Sequence, residues 1–162
     1  RLLIPFYSNR GNLIGVSGRA LRGETMRYVT VRLTTASAPL IYGMRYVDPF
    51  QLVYIVEGAF DSMFLHNAVA AGNADLCSVA VMFNPSILIY DNQPRQAEIV
   101  KIMEYAADQG HKLVIWPDDW NYKDINEAIM CGISQEEIQD IIYKNAFQGL
   151  ALKLKISQWK KI

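Results

Sequence analysis

At 162 residues, 51% hydrophobic and 20% charged, the chain has the length and composition of one well-cored globular domain, which excludes extensive disorder. No apolar run approaches the roughly 18 residues of a membrane span, and the chain opens at Arg1 with neither an initiator Met nor a signal-peptide pattern, so a piece of a longer, cytosolic protein with no membrane partner is expected. The formal charge of zero hides a segregation: residues 1–35 carry six arginines against Glu24 alone (+5), residues 48–140 carry fifteen acids against four bases (−11), and residues 144–162 carry five lysines and no acid (+5).

The opening segment, RLLIPFYSNRGNLIGVSGRAL, reads as an apolar strand to Tyr7, a turn over Ser8-Asn9-Arg10-Gly11 and a second strand from Leu13 to Val16. Arg27 to Leu33 alternates as a third strand, with Tyr28, Thr30 and Arg32 on one face. These three segments predict a small N-terminal sheet with an arginine-rich surface. Residues 34–48 have little regular period and hold Pro39 and Gly43, so they are expected to connect two subdomains.

From Leu52 the pattern becomes strand, helix, strand, helix, the signature of a parallel sheet covered by helices. Strands are expected at Leu52 to Val56, Val79 to Phe83, Ile87 to Tyr90 and Lys112 to Trp116. Helices are expected at Phe60 to Ala71, Arg95 to Gln109, Asp124 to Met130 and Ser134 to Asn145. Ser134 with Glu137 three residues later forms a capping box. The tail AFQGLALKLKISQWKKI alternates apolar and basic residues and suggests one more helix on the surface.

Carboxylates cluster where these strands should end: Glu57 and Asp61 after the first, Asp91 after ILIY, and Asp118, Asp119 and Asp124 after LVIW. An ionised Glu at the end of a buried strand needs a partner or a task, and the carboxyl edge of an open α/β sheet is where such folds place their ligands. Two unit charges about 4 Å apart repel by roughly 4 kcal/mol at an effective dielectric near 20, so converging acids need protons or a divalent cation. Magnesium, which takes hard oxygen ligands, is the natural guest. Each acid alone has a plainer explanation, Asp124 above all, since it precedes INEAI as a helix N-cap would. Cys77 and Cys131 stand far apart with no CxxC spacing, and His66 and His111 have no partner motif, so reduced core thiols are expected rather than a zinc site.

VEGAFDSMFL, LIYDNQPR and WPDDWNYKDINEAI, in this order, resemble the three motifs of a Toprim domain. The flanking RLLIPFYSNRGNLIGVSGRAL, MRYVTV and PLIYGM resemble the N-terminal subdomain of primase polymerase cores. The chain is thereby identified as a member of the Toprim-containing DnaG-type primase family, most similar to the catalytic part of the T-even bacteriophage primases. The resemblance implies an α/β fold, a Toprim-type parallel sheet flanked by helices after a small, mainly β subdomain. It implies a division into residues 1–48, a Toprim domain at 49–133 and a helical segment at 134–162.

The resemblance assigns catalysis to Glu57, Asp61 and Asp91, and metal binding to those three with Asp124. Asp91 matches the first acid of the family's Asp-x-Asp pair; the second falls on Gln93, which removes a negative charge, and Asn126 stands where another Asp is usual. Arg19, Arg27 and Tyr28 fall where primases hold nucleotide phosphates and template. The implied activity is synthesis of short RNA primers from ribonucleoside triphosphates on single-stranded DNA. It would require Mg²⁺, with Mn²⁺ as a substitute, in partnership with a replicative helicase and in the host cytoplasm. Trp116, Trp120 and Tyr122 are candidates for base stacking or for packing. Strand cleavage of the nuclease or topoisomerase type, and a noncatalytic nucleic-acid or helicase-binding fragment, are the alternatives.

Overall fold

The computed structural model describes residues 1–35, 39–72 and 74–162; part of the expected connection, residues 36–38, lies outside them. Leu2–Tyr7 (β1), Leu13–Arg19 (β2) and Tyr28–Arg32 (β3) form an antiparallel sheet in that order. Alternate residues of a strand face opposite sides, and the register pairs Ile4 with Ser17, Ser17 with Thr30, and Arg19 with Tyr28. The face bearing these residues also carries Phe6 and turns inward, whereas Leu3, Val29 and Val31 stay exposed on the other. The described part of the connection runs against the inner face. Leu40 and Ile41 are buried, Leu40 lies against Gly15 of β2, and Tyr42 bridges to Ala70.

The second sheet comprises Val53–Val56 (β4), Ala68–Ala70 (β5), Ser86–Ile89 (β6), Leu113–Val114 (β7) and Ala146–Phe147 (β8), in the order β5-β4-β6-β7-β8. Its first four strands are parallel and β8 runs antiparallel to β7. The helices are Ala59–Ser62 (α1), Leu76–Ala80 (α2), Ala97–Asp108 (α3), Ile125–Met130 (α4), Gln135–Lys144 (α5) and Gly149–Trp159 (α6). On one face Val53, Ile55, Leu88 and Leu113 belong to a core shared with Val79, Met103, Leu152 and Ile156. On the other, Tyr54, Val56, Ile89 and Val114 share a core with Ile125, Ile138 and Ile142. Burial on both faces is why VYIV and SILI read as nearly continuous apolar runs rather than alternating ones.

Four segments differ from the sequence expectation. The helix expected over Phe60 to Ala71 is a single turn, after which the chain reverses and returns as β5. Asn67 makes the reversal: it takes a left-handed φ of 48° and its side chain bonds Asp48 N–H and the carbonyls of Asp48 and Leu52. Gly43 lies against β5 so closely, with φ +92°, that a Cβ there would come 2.8 Å from the Ala68 carbonyl oxygen. The strand expected over Val79 to Phe83 is instead spanned in its first half by α2, which Asp75 caps by accepting from Ser78 N–H at 3.1 Å. β8 takes Ala146 and Phe147 from the start of the tail expected as helix, where they pair with Val114 and Leu113. Finally, α6 is a core helix rather than a surface one, with Leu152, Ile156 and Trp159 buried at i, i+4 and i+7. The first hairpin, β3, β4, β6 and helices α3 to α5 fall where expected. The capping box of α5 is formed: Ser134 Oγ accepts from Glu137 N–H while Glu137 Oε2 accepts from Ser134 N–H.

Candidate functional site

The chain leaves β4 to one side for β5, whereas β6 lies on β4's other side, so the carboxyl ends of β4 and β6 border a switch point of the sheet. Glu57 follows β4 directly, and Asp91 comes two residues after the end of β6. The two meet there, Asp91 N–H donating to Glu57 Oε1 at 3.1 Å. Asp61, in the single turn of α1, is 8% exposed and accepts from Asn126 N–H through Oδ1 at 2.8 Å. Asp124 caps α4 by accepting from Glu127 N–H at 2.8 Å. All four carboxylates line one cavity of about 310 Å³. Gly58 lies at its edge, where a Cβ would press into Oδ2 of Asp61 and oblige that carboxylate to shift.

The opposite wall of this cavity belongs to the N-terminal sheet. Arg19, Arg27 and Tyr28 line it together with Ser17 and Thr30, whose hydroxyls are 2.9 Å apart. Arg19 donates to the Tyr28 hydroxyl at 3.2 Å and lies 4.5 Å over the Phe60 ring, so it touches the helix that carries Asp61. The seven residues singled out from the sequence for catalysis, metal or nucleotide are thus gathered around one space. Asp118 and Asp119 are not among its lining; both are exposed on the loop before α4.

Trp116 and Trp120 are buried and stacked on each other at 4.6 Å, with Tyr122 edge-on to Trp120. Trp116 Nε1 donates to the Tyr90 carbonyl at 2.8 Å. The two indoles are packing residues, which hold the loop between β7 and α4 against the end of β6. Asn92 completes the fastening. Its backbone N–H donates to the Lys123 carbonyl, its side-chain amide to the carbonyls of Trp120 and Tyr122, and its Oδ1 accepts from Trp159. Two contributors escaped the sequence reading. Asn126 acts through its backbone N–H, which no side-chain pattern reveals, and Lys123, which donates to Asp91 Oδ2, carries no motif of its own.

Burial governs the protonation of the acids. It pushes the Asp61 carboxyl up to about 6, with Asp124 and Asp91 adding to the rise and the Asn126 N–H opposing it. Glu57 is raised by burial and then by the Asp91 charge. Asp91 is raised by burial although its hydrogen bond to Lys123 pulls the other way. Among the described residues no three His, Cys, Asp or Glu side chains stand as a closed metal-holding group. The donor chemistry nonetheless fits a hard divalent cation: four carboxylates share one cavity, and burial already penalises the ionised forms of Glu57, Asp61 and Asp91.

No protein-family model matches the chain. It is 32% identical over 166 residues to the DNA primase of Enterobacteria phage T4, covering all of this chain and 48% of that protein, so it spans about half the length of this relative. Among solved structures it is similar to a DnaG primase catalytic domain bound to single-stranded DNA, with a TM-score of 0.67 and 21% identity over 97% of this chain and 56% of the other. It is also similar to the primase fragment of the bacteriophage T7 primase-helicase protein, with a TM-score of 0.62 and 18% identity over 86% of this chain and 61% of the other.

Proposed function

We propose that the chain, which is 32% identical over its whole length to a phage DNA primase, is the catalytic part of a DnaG-type primase, making short RNA primers from ribonucleoside triphosphates on single-stranded DNA. The observation that carries this reading is the single cavity with carboxylates on one wall and arginines on the other. A nucleoside triphosphate is a polyanion that travels with a divalent cation, and such a space offers each part its complement. The Arg19 and Arg27 guanidinium groups suit phosphate oxygens, which their planar fork meets bidentately. Tyr28, bonded to Arg19, orients that fork.

Mg²⁺, with Mn²⁺ as a substitute, would be held by Asp91 with Glu57, Asp61 and Asp124, and would supply charge neutralisation at the triphosphate and a more acidic 3′-hydroxyl. Glu57 has the remaining task. Its Oε1 is engaged by Asp91 N–H, so Oε2 is the atom to take the proton from the primer 3′-hydroxyl, and burial raises its basicity toward that of a working general base. The 3′-oxygen then bonds the α-phosphorus and pyrophosphate leaves.

The remaining parts of the reading follow the family. Residues 1–48 form the N-terminal subdomain, 49–133 the Toprim domain and 134–162 the helical segment. The protein works beside a replicative helicase in the host cytoplasm; among the described residues no helix is long and apolar enough to cross a membrane. The test is primer synthesis on single-stranded DNA with Mg²⁺ by the Glu57→Gln and Asp91→Asn variants. Each is expected to lose at least about 100-fold in rate, the usual scale for a general base or a metal ligand. Undiminished product from both would refute the assignment.

A further inference from the structure

The Lys123 ammonium lies inside the acidic wall. Its Nζ donates to Asp91 Oδ2 at 2.7 Å and stands 3.7 Å from Asp124 Oδ2. The backbone that presents it is fastened on both sides, its carbonyl accepting from Asn92 N–H at 2.7 Å and its own N–H donating to Glu127 Oε2. The stem therefore starts from a set position beside the end of β6 and the cap of α4. The side chain itself is 46% exposed, whereas those of Asp91 and Asp124 are 17% and 20% exposed. An ion pair with one partner half in water is weakly held and readily exchanged. Lys123 also lines the cavity that Arg19 and Arg27 face.

We propose that Lys123 is a tethered cation that holds Asp91 until a divalent ion takes its place, and that the released ammonium then turns to the triphosphate of the incoming nucleotide. The inference rests on the proposed primase reading and adds to it a residue and a coupling. A divalent ion and Nζ compete for the same Oδ2, so the ion binds only as the ammonium leaves. The nucleotide, by giving that ammonium a new partner, favours the exchange. Metal and nucleotide then bind cooperatively through Lys123 in addition to any direct contact between them, and by linkage each strengthens the other by the same factor.

The test compares the wild-type chain with Lys123→Met, which keeps the aliphatic stem and removes the charge. Mn²⁺ affinity is measured by calorimetry without nucleotide, and ATP affinity in EDTA and in saturating Mn²⁺. The variant is expected to bind Mn²⁺ at least fivefold more tightly, and the factor by which Mn²⁺ tightens ATP binding is expected to fall at least fivefold. A charge acting only at a distance would shift both affinities and leave that factor unchanged, and an unchanged factor overturns the proposal. A second readout needs no variant: the ¹⁵N ammonium resonance of Lys123 in the wild-type chain should move as Mg²⁺ is added. A resonance that stays fixed through saturation overturns the proposal while leaving the metal site intact. Absence of Mn²⁺ binding in both chains overturns the metal reading and this inference with it.

Discussion

Asp61 shows how a single residue ties the site to stability. Its carboxyl is raised to about 6 from an ordinary value near 4, chiefly by burial. The folded chain therefore keeps a proton that the unfolded chain has lost between about pH 4 and pH 6, and stability falls as pH rises through that window. Two units at 1.36 kcal/mol each put the cost of the ionised side chain near neutral pH at up to about 3 kcal/mol. In Asp61→Asn the amide oxygen can still accept from Asn126 N–H, and the charge is gone. In chelator at pH 7.5 that variant is expected to be more stable than wild type by up to about 2 kcal/mol, with the difference vanishing near pH 4, where both side chains are neutral. Urea denaturation across that pH range checks it; a variant less stable at pH 7.5 would contradict the buried, charged assignment. At this scale the sequence was informative about charge and silent about backbone. Glu57, Asp61, Asp91 and Asp124 announce themselves as acids at strand ends. The Asn126 N–H that fixes Asp61, and the Asn92 amide that ties down the loop before α4, have no signature in side-chain pattern.

Among the elements, those with a chemical punctuation mark were legible and those decided by tertiary contact were not. Helix α5 carries its capping box, and β4 and β6 are short apolar runs covered on both sides. The run through Val79 to Phe83 has the same appearance, and length and apolarity alone do not separate a buried strand from a short buried helix. Phe60, Met63, Phe64 and Ala68 share a helical spacing, yet Asn67 turns the chain so that Ala68–Ala70 pairs with β4. In α6 the alternation of Lys with apolar residues suggested a surface helix, but Leu152 and Ile156 lie four apart and enter the core on the β4–β6 face. Their truncation should reveal the difference. Leu152→Ala is expected to cost about 2–5 kcal/mol in urea unfolding, as for a filled core position. A loss below about 0.5 kcal/mol would place α6 on the surface.

Across the whole molecule the charge segregation in the sequence becomes a spatial arrangement. The arginine-rich N-terminal segment brings Arg19, at the end of β2, and Arg27, just before β3, to the cavity, and the acidic centre brings four carboxylates to its other side. Neither half lines this cavity alone. A basic surface facing an acidic one across about 310 Å³ is suited to a phosphate chain that arrives with its cation, and two contacts span the halves: Tyr42 bridges to Ala70 at the edge of the second sheet, and Arg19 lies over the Phe60 ring. In the proposed primase the separate carboxylates share a divalent ion at this cavity. Crystals of the chain soaked with Mn²⁺ and a nucleoside triphosphate test it most directly. The expected anomalous peak lies in contact with Asp91 and at least one of Glu57, Asp61 and Asp124. A peak found only elsewhere, such as at the exposed Asp118 and Asp119, would contradict it.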